Sequence, residues 1–185
     1  MARRRTGNRN QAESETGLER LWAPWRNTYL KTVDRPGKKC IFCFGRLSRK
    51  SRRSKLILYA GPLAQVMLNR YPYNNGHLMI APRRHIASPE LMTPEERAVL
   101  AELTAFATKA IRRVYNPAGI NLGANLGRAA GAGFAEHAHW HLVPRWEGDT
   151  NFMPVLARTR VLSEMLEETF LLLDPLFTAV ELPVS

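Results

Sequence analysis

From residue 55 onward, short apolar runs alternate with turn residues. In KLILYAGPLAQVMLNRYPYNNGHLMIAPRRH (55–85), Gly61-Pro62 and the stretch Pro72 to Gly76 separate the runs. This spacing predicts strands joined by turns, with one strand beginning near His77 and ending at Pro82. TPEERAVLAELTAFATKAIRRVYNPAG then changes period. Val99, Leu100, Leu103, Phe106, Ala107, Ala110, Ile111 and Val114 recur at helical spacing. Thr93 is placed as N-cap, Pro94 at the first helical position and Glu96 as the reciprocal partner of a capping box, while Asn116-Pro117 stops the helix. GINLGANL (119–126) predicts another strand, and a further strand runs through HAHWH to about Val143. MPVLARTRVL (153–162) extends the sheet in this reading. Ser163 begins a C-terminal helix with Met165, Leu166, Phe170 and Leu173 on one side.

Strands with one main helix, no internal repeat and no second core predict an α+β fold with a mostly antiparallel sheet. The expected organisation is a basic, disordered tail over 1–17, one domain over 18–175 and a C-terminal tail over 176–185. LERLWAPWRNTYL (18–30), with Trp22 and Trp25, opens the ordered part because a linker would not expose that much apolar surface. The hydrophobic fraction of 45% fits a real core. No apolar run approaches the roughly 20 residues that cross a bilayer. The opening MARRRTGNRNQAESETG has positive charge with no apolar run behind it, which does not read as a secretory signal. A cytoplasmic protein without membrane contact is expected.

The formal net charge is +11 over 185 residues. Much of it lies in Arg3, Arg4, Arg5 and Arg9, and in RLSRKSRRSK (46–55). Neither cluster is interleaved with aromatics, which disfavours a stacking surface for single-stranded nucleic acid. A solvated tail and loop, or attraction of polyanions such as nucleotides or nucleic acid, are the readings left open. The two cysteines, Cys40 and Cys43, form C-x-x-C in CIFC. That spacing is half of a four-ligand zinc site or a redox pair, and the absence of a βαβ context favours metal.

The chain has five histidines, and three of them lie in HAHWH as His137, His139 and His141. In a strand these share one face, with neighbours about 6.7 Å apart. A row of buried structural imidazoles gains little apolar energy and repels when charged. Joint ligation of one metal ion and catalysis by a nucleophilic imidazole are the functional alternatives. The small-residue loop NLGRAAGAGFAEH leads into this row. Its Gly127, Gly131 and Gly133 can turn backbone N–H groups toward a phosphate.

HAHWHLV matches H-φ-H-φ-H-φ-φ, where φ is apolar, and so resembles the histidine triad (HIT) family. NRYPYNNGHLMIAPRRH resembles that family's upstream half-site. LWAPWR, CIFC and VPRWEGDTNFMPV resemble its bacterial branch near the diadenosine tetraphosphate phosphorylases. The resemblance covers about 18–175. It implies a HIT-like fold in a homodimer, and transfer or hydrolysis of nucleoside monophosphates through a nucleotidyl-histidine. It makes His139 the nucleophile, gives His141 a phosphate or leaving-group contact, and places His77 beside His141 as support. It assigns Asn69 to the ribose hydroxyls, Met67 and Leu68 to the neighbourhood of the base, and Asn125 and Gly127 to the phosphates. Many relatives carry Ser, Thr or Gln three or four residues before the triad. Here Gly133 and Phe134 stand there, so a side-chain phosphate contact is missing.

The same resemblance completes a structural zinc site from Cys40, Cys43, His85 and His137, with His137 serving the metal, the catalytic row or both. Mg2+ would enter only with the substrate phosphates. The implied substrate is an adenine nucleotide or dinucleoside polyphosphate. An AMP-phosphoramidate hydrolase is the second reading, and a zinc-stabilised nucleic-acid-binding protein is the third.

Overall fold

A computed structural model describes residues 40–149 and 163–178. The tail 1–17, LERLWAPWRNTYL and MPVLARTRVL lie outside the described residues, as does the end of the chain after 178.

The strand pattern of 55–85 appears as β1 (Ile57–Ala60), β2 (Ala64–Leu68) and β3 (Leu78–Pro82), followed by β4 (Gly119–Ala124) and β5 (Trp140–Arg145). They form one antiparallel sheet in the order β1-β2-β3-β5-β4. Leu78, Met79 and Ile80 of β3 pair with Leu142, His141 and Trp140 of β5. The assigned strand therefore begins at Trp140. His137 and His139 lie in the segment just before it, later than the sequence pattern suggested.

Three α-helices, with a short 3-10 helix at Pro89–Leu91, complete the described fold: α1 (Arg49–Ser54), α2 (Pro94–Tyr115) and α3 (Leu166–Thr178). The expected capping box is present on α2. Thr93 Oγ1 accepts the Glu96 N–H at 3.2 Å, and Glu96 Oε2 accepts the Thr93 N–H at 2.9 Å. At the other end Asn116 turns left-handed, with φ 40°, and its N–H donates to Arg112 O. α3 starts three residues later than Ser163 and extends past 175. Met165 is exposed rather than packed, because it precedes the first helical turn.

The basic segment 46–55 is not a plain loop. Ser48 caps α1 by accepting the Ser51 N–H, and the helix uses its arginines as ties. Arg52 donates to the carbonyls of Ile57 and Leu58 and reaches Asp174 of α3. Arg53 pairs with Glu167 of the same helix. These ties dock α3 beside β1.

Both faces of β2 and β3 are covered, which explains their near-continuous apolar runs. Alternation decides what each face receives. Leu58, Val66, Leu68, Leu78, Ile80, Ala138 and Leu142 face α2 and α3 in the main core. Ile57, Met67, Met79 and Ala81 face the other way and pack under Phe42 of the segment 40–47. Gln65, also on that second face, is fully buried and fully used. Its Nε2 donates to Phe42 O at 2.8 Å, and its Oε1 accepts from Arg83 Nη1 at 2.8 Å. Arg83 in turn donates to Phe44 O at 2.9 Å and lies over the Phe44 ring. No helix among the described residues is long and apolar enough to cross a membrane.

Candidate active site and metal centre

All five histidines converge on the second face. Ala138, Trp140 and Leu142 point to the helices, so the residues between them point away. His137 is 0% exposed, His139 3% and His77 1%. The row is thus an interior feature. His137, expected at an outer end, is enclosed by Phe42, Pro82 and the CIFC segment.

A carbonyl can only accept a hydrogen bond, so backbone partners fix the ring protons. His139 Nδ1 lies 2.8 Å from His137 O and must carry its proton there, which leaves Nε2 as a lone pair. His137 Nε2 lies 3.0 Å from Pro82 O, so that proton is on Nε2 and Nδ1 is the lone pair. The Tyr73 N–H donates to His77 Nδ1 at 3.1 Å, so the His77 proton is on Nε2. That proton is donated to His141 Nδ1 at 2.9 Å, so His141 keeps its own proton on Nε2. The outcome is two neighbouring rings of opposite function. His139 offers a nucleophilic nitrogen, and His141 offers an N–H donor. Their centroids are 5.0 Å apart.

Burial also keeps these rings neutral. It lowers the pKa of His139, although the bond to His137 O opposes the shift. It pushes His141 down to about 4, helped by the charge His139 would carry. The ring of Phe42 rests 4.8 Å from His139 and 5.0 Å from His137, closing the site from the CIFC side.

Cys40, Cys43, His85 and His137 bring one ligand atom each to within 4.8 Å of one another. His85 Nδ1 and His137 Nδ1 are 3.3 Å apart. Nitrogen to sulfur separations are 3.4 Å for His137 to Cys40, 3.6 Å for His137 to Cys43 and 3.2 Å for His85 to Cys43. Tetrahedral ligands at ordinary zinc bond lengths lie about 3.3 Å apart for two nitrogens and about 3.6 Å for nitrogen and sulfur. The spacing therefore fits one divalent ion. The Pro82 carbonyl supplies the outer hydrogen bond that aims a metal-binding histidine. Burial pushes the Cys40 thiol up to about 11, a penalty that coordination of the thiolate would reverse. His137 thus belongs to both sets: its ring faces the metal ligands, and its carbonyl holds His139.

The remaining expected residues distribute as follows. Met67 lies on the histidine face, but Leu68 is turned into the helix-side core, because adjacent strand residues take opposite faces. Asn69 follows β2, and its Oδ1 accepts the Tyr71 N–H at 2.9 Å. Asn125 and Gly127 follow β4, and Gly127 has φ 78°. Gly131 is also left-handed, but its N–H donates to Arg128 O at 2.9 Å and does not face a phosphate. Gly133 has no positive φ, so nothing in its backbone calls for glycine. Phe42, Gln65 and Tyr73 were not singled out from sequence. Only the odd polar Gln65 inside an apolar run carried a signal.

Fold and site together define a class: an antiparallel sheet with helices on one face and, on the other, tautomer-fixed imidazoles beside a four-ligand cluster. The chain belongs to the HIT domain family, whose profile matches residues 50–148. It is 38% identical over 157 residues to the AP-4-A phosphorylase of Mycobacterium tuberculosis, covering 82% of this chain and 80% of that protein. A Zn-bound histidine triad family protein from Mycobacterium smegmatis superposes with a TM-score of 0.54 at 25% identity, covering 66% of this chain and 84% of the other. A hypothetical histidine triad nucleotide-binding protein from Sulfolobus tokodaii strain7 gives 0.55 at 25% identity, covering 75% and 89%.

Proposed function

We propose that this protein is a nucleotidyl-transferring enzyme that cleaves dinucleoside polyphosphates, with His139 Nε2 as nucleophile. One observation carries the reading: the bond from His139 Nδ1 to the His137 carbonyl, which leaves Nε2 as the lone pair of a ring that burial keeps neutral. The similarity to the AP-4-A phosphorylase of M. tuberculosis supports the substrate class.

In the reaction, the Nε2 lone pair attacks the α-phosphorus and forms a P–N bond as the P–O bond to the remaining polyphosphate breaks. His141 Nε2–H stabilises the departing oxygen. His77 keeps that proton in place from behind. Water or orthophosphate then attacks the same phosphorus, the P–N bond breaks, and the electron pair returns to His139. Met67 and the turn glycine Gly127 are the neighbours proposed for the base and phosphates. The excess of positive charge favours a polyanionic substrate.

Zinc is proposed at Cys40, Cys43, His85 and His137, where it fastens the CIFC segment over the histidines. The Zn-bound M. smegmatis relative and the ligand spacing support it. Mg2+ is assigned no protein ligands and accompanies the substrate phosphates. A homodimer is supported by β4, an edge strand with exposed Leu122, and by the apolar groove of about 680 Å³ it shares with Met92, Leu100 and Trp140. Light scattering should give twice the chain mass. A cytoplasmic location completes the proposal.

The deciding experiment is product analysis with diadenosine tetraphosphate, with and without labelled orthophosphate. ATP plus ADP formed only with phosphate identifies a phosphorylase. ATP plus AMP without it identifies a hydrolase. No turnover of the dinucleotide in either buffer overturns the substrate assignment.

A further inference from the structure

Tyr73 stands in the turn between β2 and β3, with 42% of its surface exposed. Two independent contacts join it to His77. Its backbone N–H donates to His77 Nδ1 at 3.1 Å, and its ring stacks on the same imidazole at 4.9 Å with an interplanar angle of 27°. The ring also lies 6.2 Å from that of His141. The turn around it is laced to itself and to the sheet. Asn69 N–H donates to His77 O, His77 N–H donates to Asn74 O, and Asn74 Nδ2 donates to Pro144 O at 3.0 Å. Pro72 precedes Tyr73 and narrows the backbone choices at that point.

The His77–His141 pair has two self-consistent proton arrangements. In one, His77 Nε2–H donates to His141 Nδ1, and His141 carries its proton on Nε2. In the other, His141 Nδ1–H donates to His77 Nε2, the His77 proton sits on Nδ1, and His141 Nε2 is bare. Both satisfy the 2.9 Å contact. Only the first places an N–H where a leaving oxygen needs it. The Tyr73 N–H selects the first, because it demands a lone pair on His77 Nδ1.

We propose that Tyr73 is a positioning residue: its ring, stacked on His77, holds the turn so that its backbone N–H stays on His77 Nδ1 and so keeps His141 an Nε2–H donor toward the leaving group. The inference rests on the nucleotidyl-transfer reading for its kinetic consequence but not for its structural one. The holding is assigned to the ring stack, so Tyr73→Phe, which keeps the ring, should preserve the arrangement. Tyr73→Ala and Tyr73→Leu should release it.

Two readouts test this. The first needs no substrate. Long-range 15N–1H spectra of histidine-labelled protein should give the Nε2–H tautomer at His77 and His141 in the wild type and in Tyr73→Phe. A mixed population is expected in Tyr73→Ala and Tyr73→Leu. Unchanged tautomers in both folded variants overturn the proposal whatever the substrate proves to be. The second is kinetic. Tyr73→Ala should lower kcat for the dinucleotide by on the order of tenfold with little change in KM. It should barely affect the p-nitrophenyl ester of AMP, whose leaving group needs no proton. An equal loss on both substrates overturns the proposal. Adding His77→Ala to Tyr73→Ala should cost little beyond His77→Ala alone, because both act on one proton. A full additive loss refutes the relay. If the dinucleotide is not turned over by wild-type protein, the functional reading fails while the spectra still decide the role of Tyr73.

Discussion

His139 and His141 are alternate residues of one short segment, yet their hydrogen bonds make them opposite tools. His139→Asn should remove nucleotidyl transfer by at least about 10³-fold, since the side-chain amide has no nucleophilic nitrogen lone pair to attack phosphorus. Circular dichroism and zinc content should be unchanged, and full activity in that variant would remove His139 as nucleophile. His141 adds a pH signature. Its native pKa is held down to about 4 by burial, whereas an unfolded imidazole titrates near 6.5. Between those values the unfolded chain binds more protons than the native one. The stability from keeping this ring neutral is therefore fully present above about pH 6.5 and is lost as pH falls toward 4. Denaturant midpoints measured from pH 7.5 to 4.5 should fall across that window, and His141→Asn should flatten the slope. The importance of these rings was legible in the sequence from their spacing alone. Their tautomers were not, because they depend on Pro82 O, His137 O and the Tyr73 N–H, backbone atoms that no residue type advertises. Phe42 was illegible for a similar reason: only the fold brings it within 4.8 Å of a ring 97 positions later.

Among the elements, α2 was the most legible, because its boundaries are set by local chemistry. The capping box, Pro94 and the Asn116-Pro117 stop all act within a few residues of their own position. Thr93→Ala should cost about 1 kcal/mol and lower Tm by a few degrees in a thermal melt. An unchanged melt would mean that tertiary packing, not the cap, holds that end. α1 was the reverse case. Its run of arginines and lysines reads as a solvated loop because nothing in it is apolar, and it has no buried residue in the fold. It is helical because Ser48 starts it and because α3, more than a hundred residues away, offers Glu167 and Asp174 to its arginines. On β2, alternation turns Leu68 into the helix-side core and leaves Met67 on the histidine face.

At the scale of the molecule, the four-ligand cluster and the histidine row are one construction. The segment 40–47 covers the second face of the sheet through Phe42, the Gln65–Arg83 bonds and the ligands Cys40 and Cys43. Cys40→Ser should lower zinc stoichiometry and Tm together. Activity should fall in parallel, because His137 would lose its fixed ring while still having to present its carbonyl to His139. Elemental analysis that finds no stoichiometric zinc in wild-type protein would remove the metal from this account. C-x-x-C announced half of that cluster from sequence. The other half is split between the ends of two segments, which meet only because β3 and β5 pair.

That pairing has a consequence for how the chain tolerates changes of length. His141 sits opposite Met79 and Trp140 opposite Ile80, so residues of the histidine face and of the helix-side core alternate along one ladder. Losing a single residue between Ala138 and Leu142 would not shorten the site but invert it. Imidazoles would be driven into the oily side beneath α2, and indole and leucine would stand where the proposed chemistry needs imidazoles. Gaining or losing a residue in the exposed stretch from Arg128 to Ala130, beyond the turn glycine Gly127, would resize a surface turn. Natural variation in length should therefore pile up before Phe134 and stop abruptly at His137, drawing the border of the reactive centre as clearly as any substitution could.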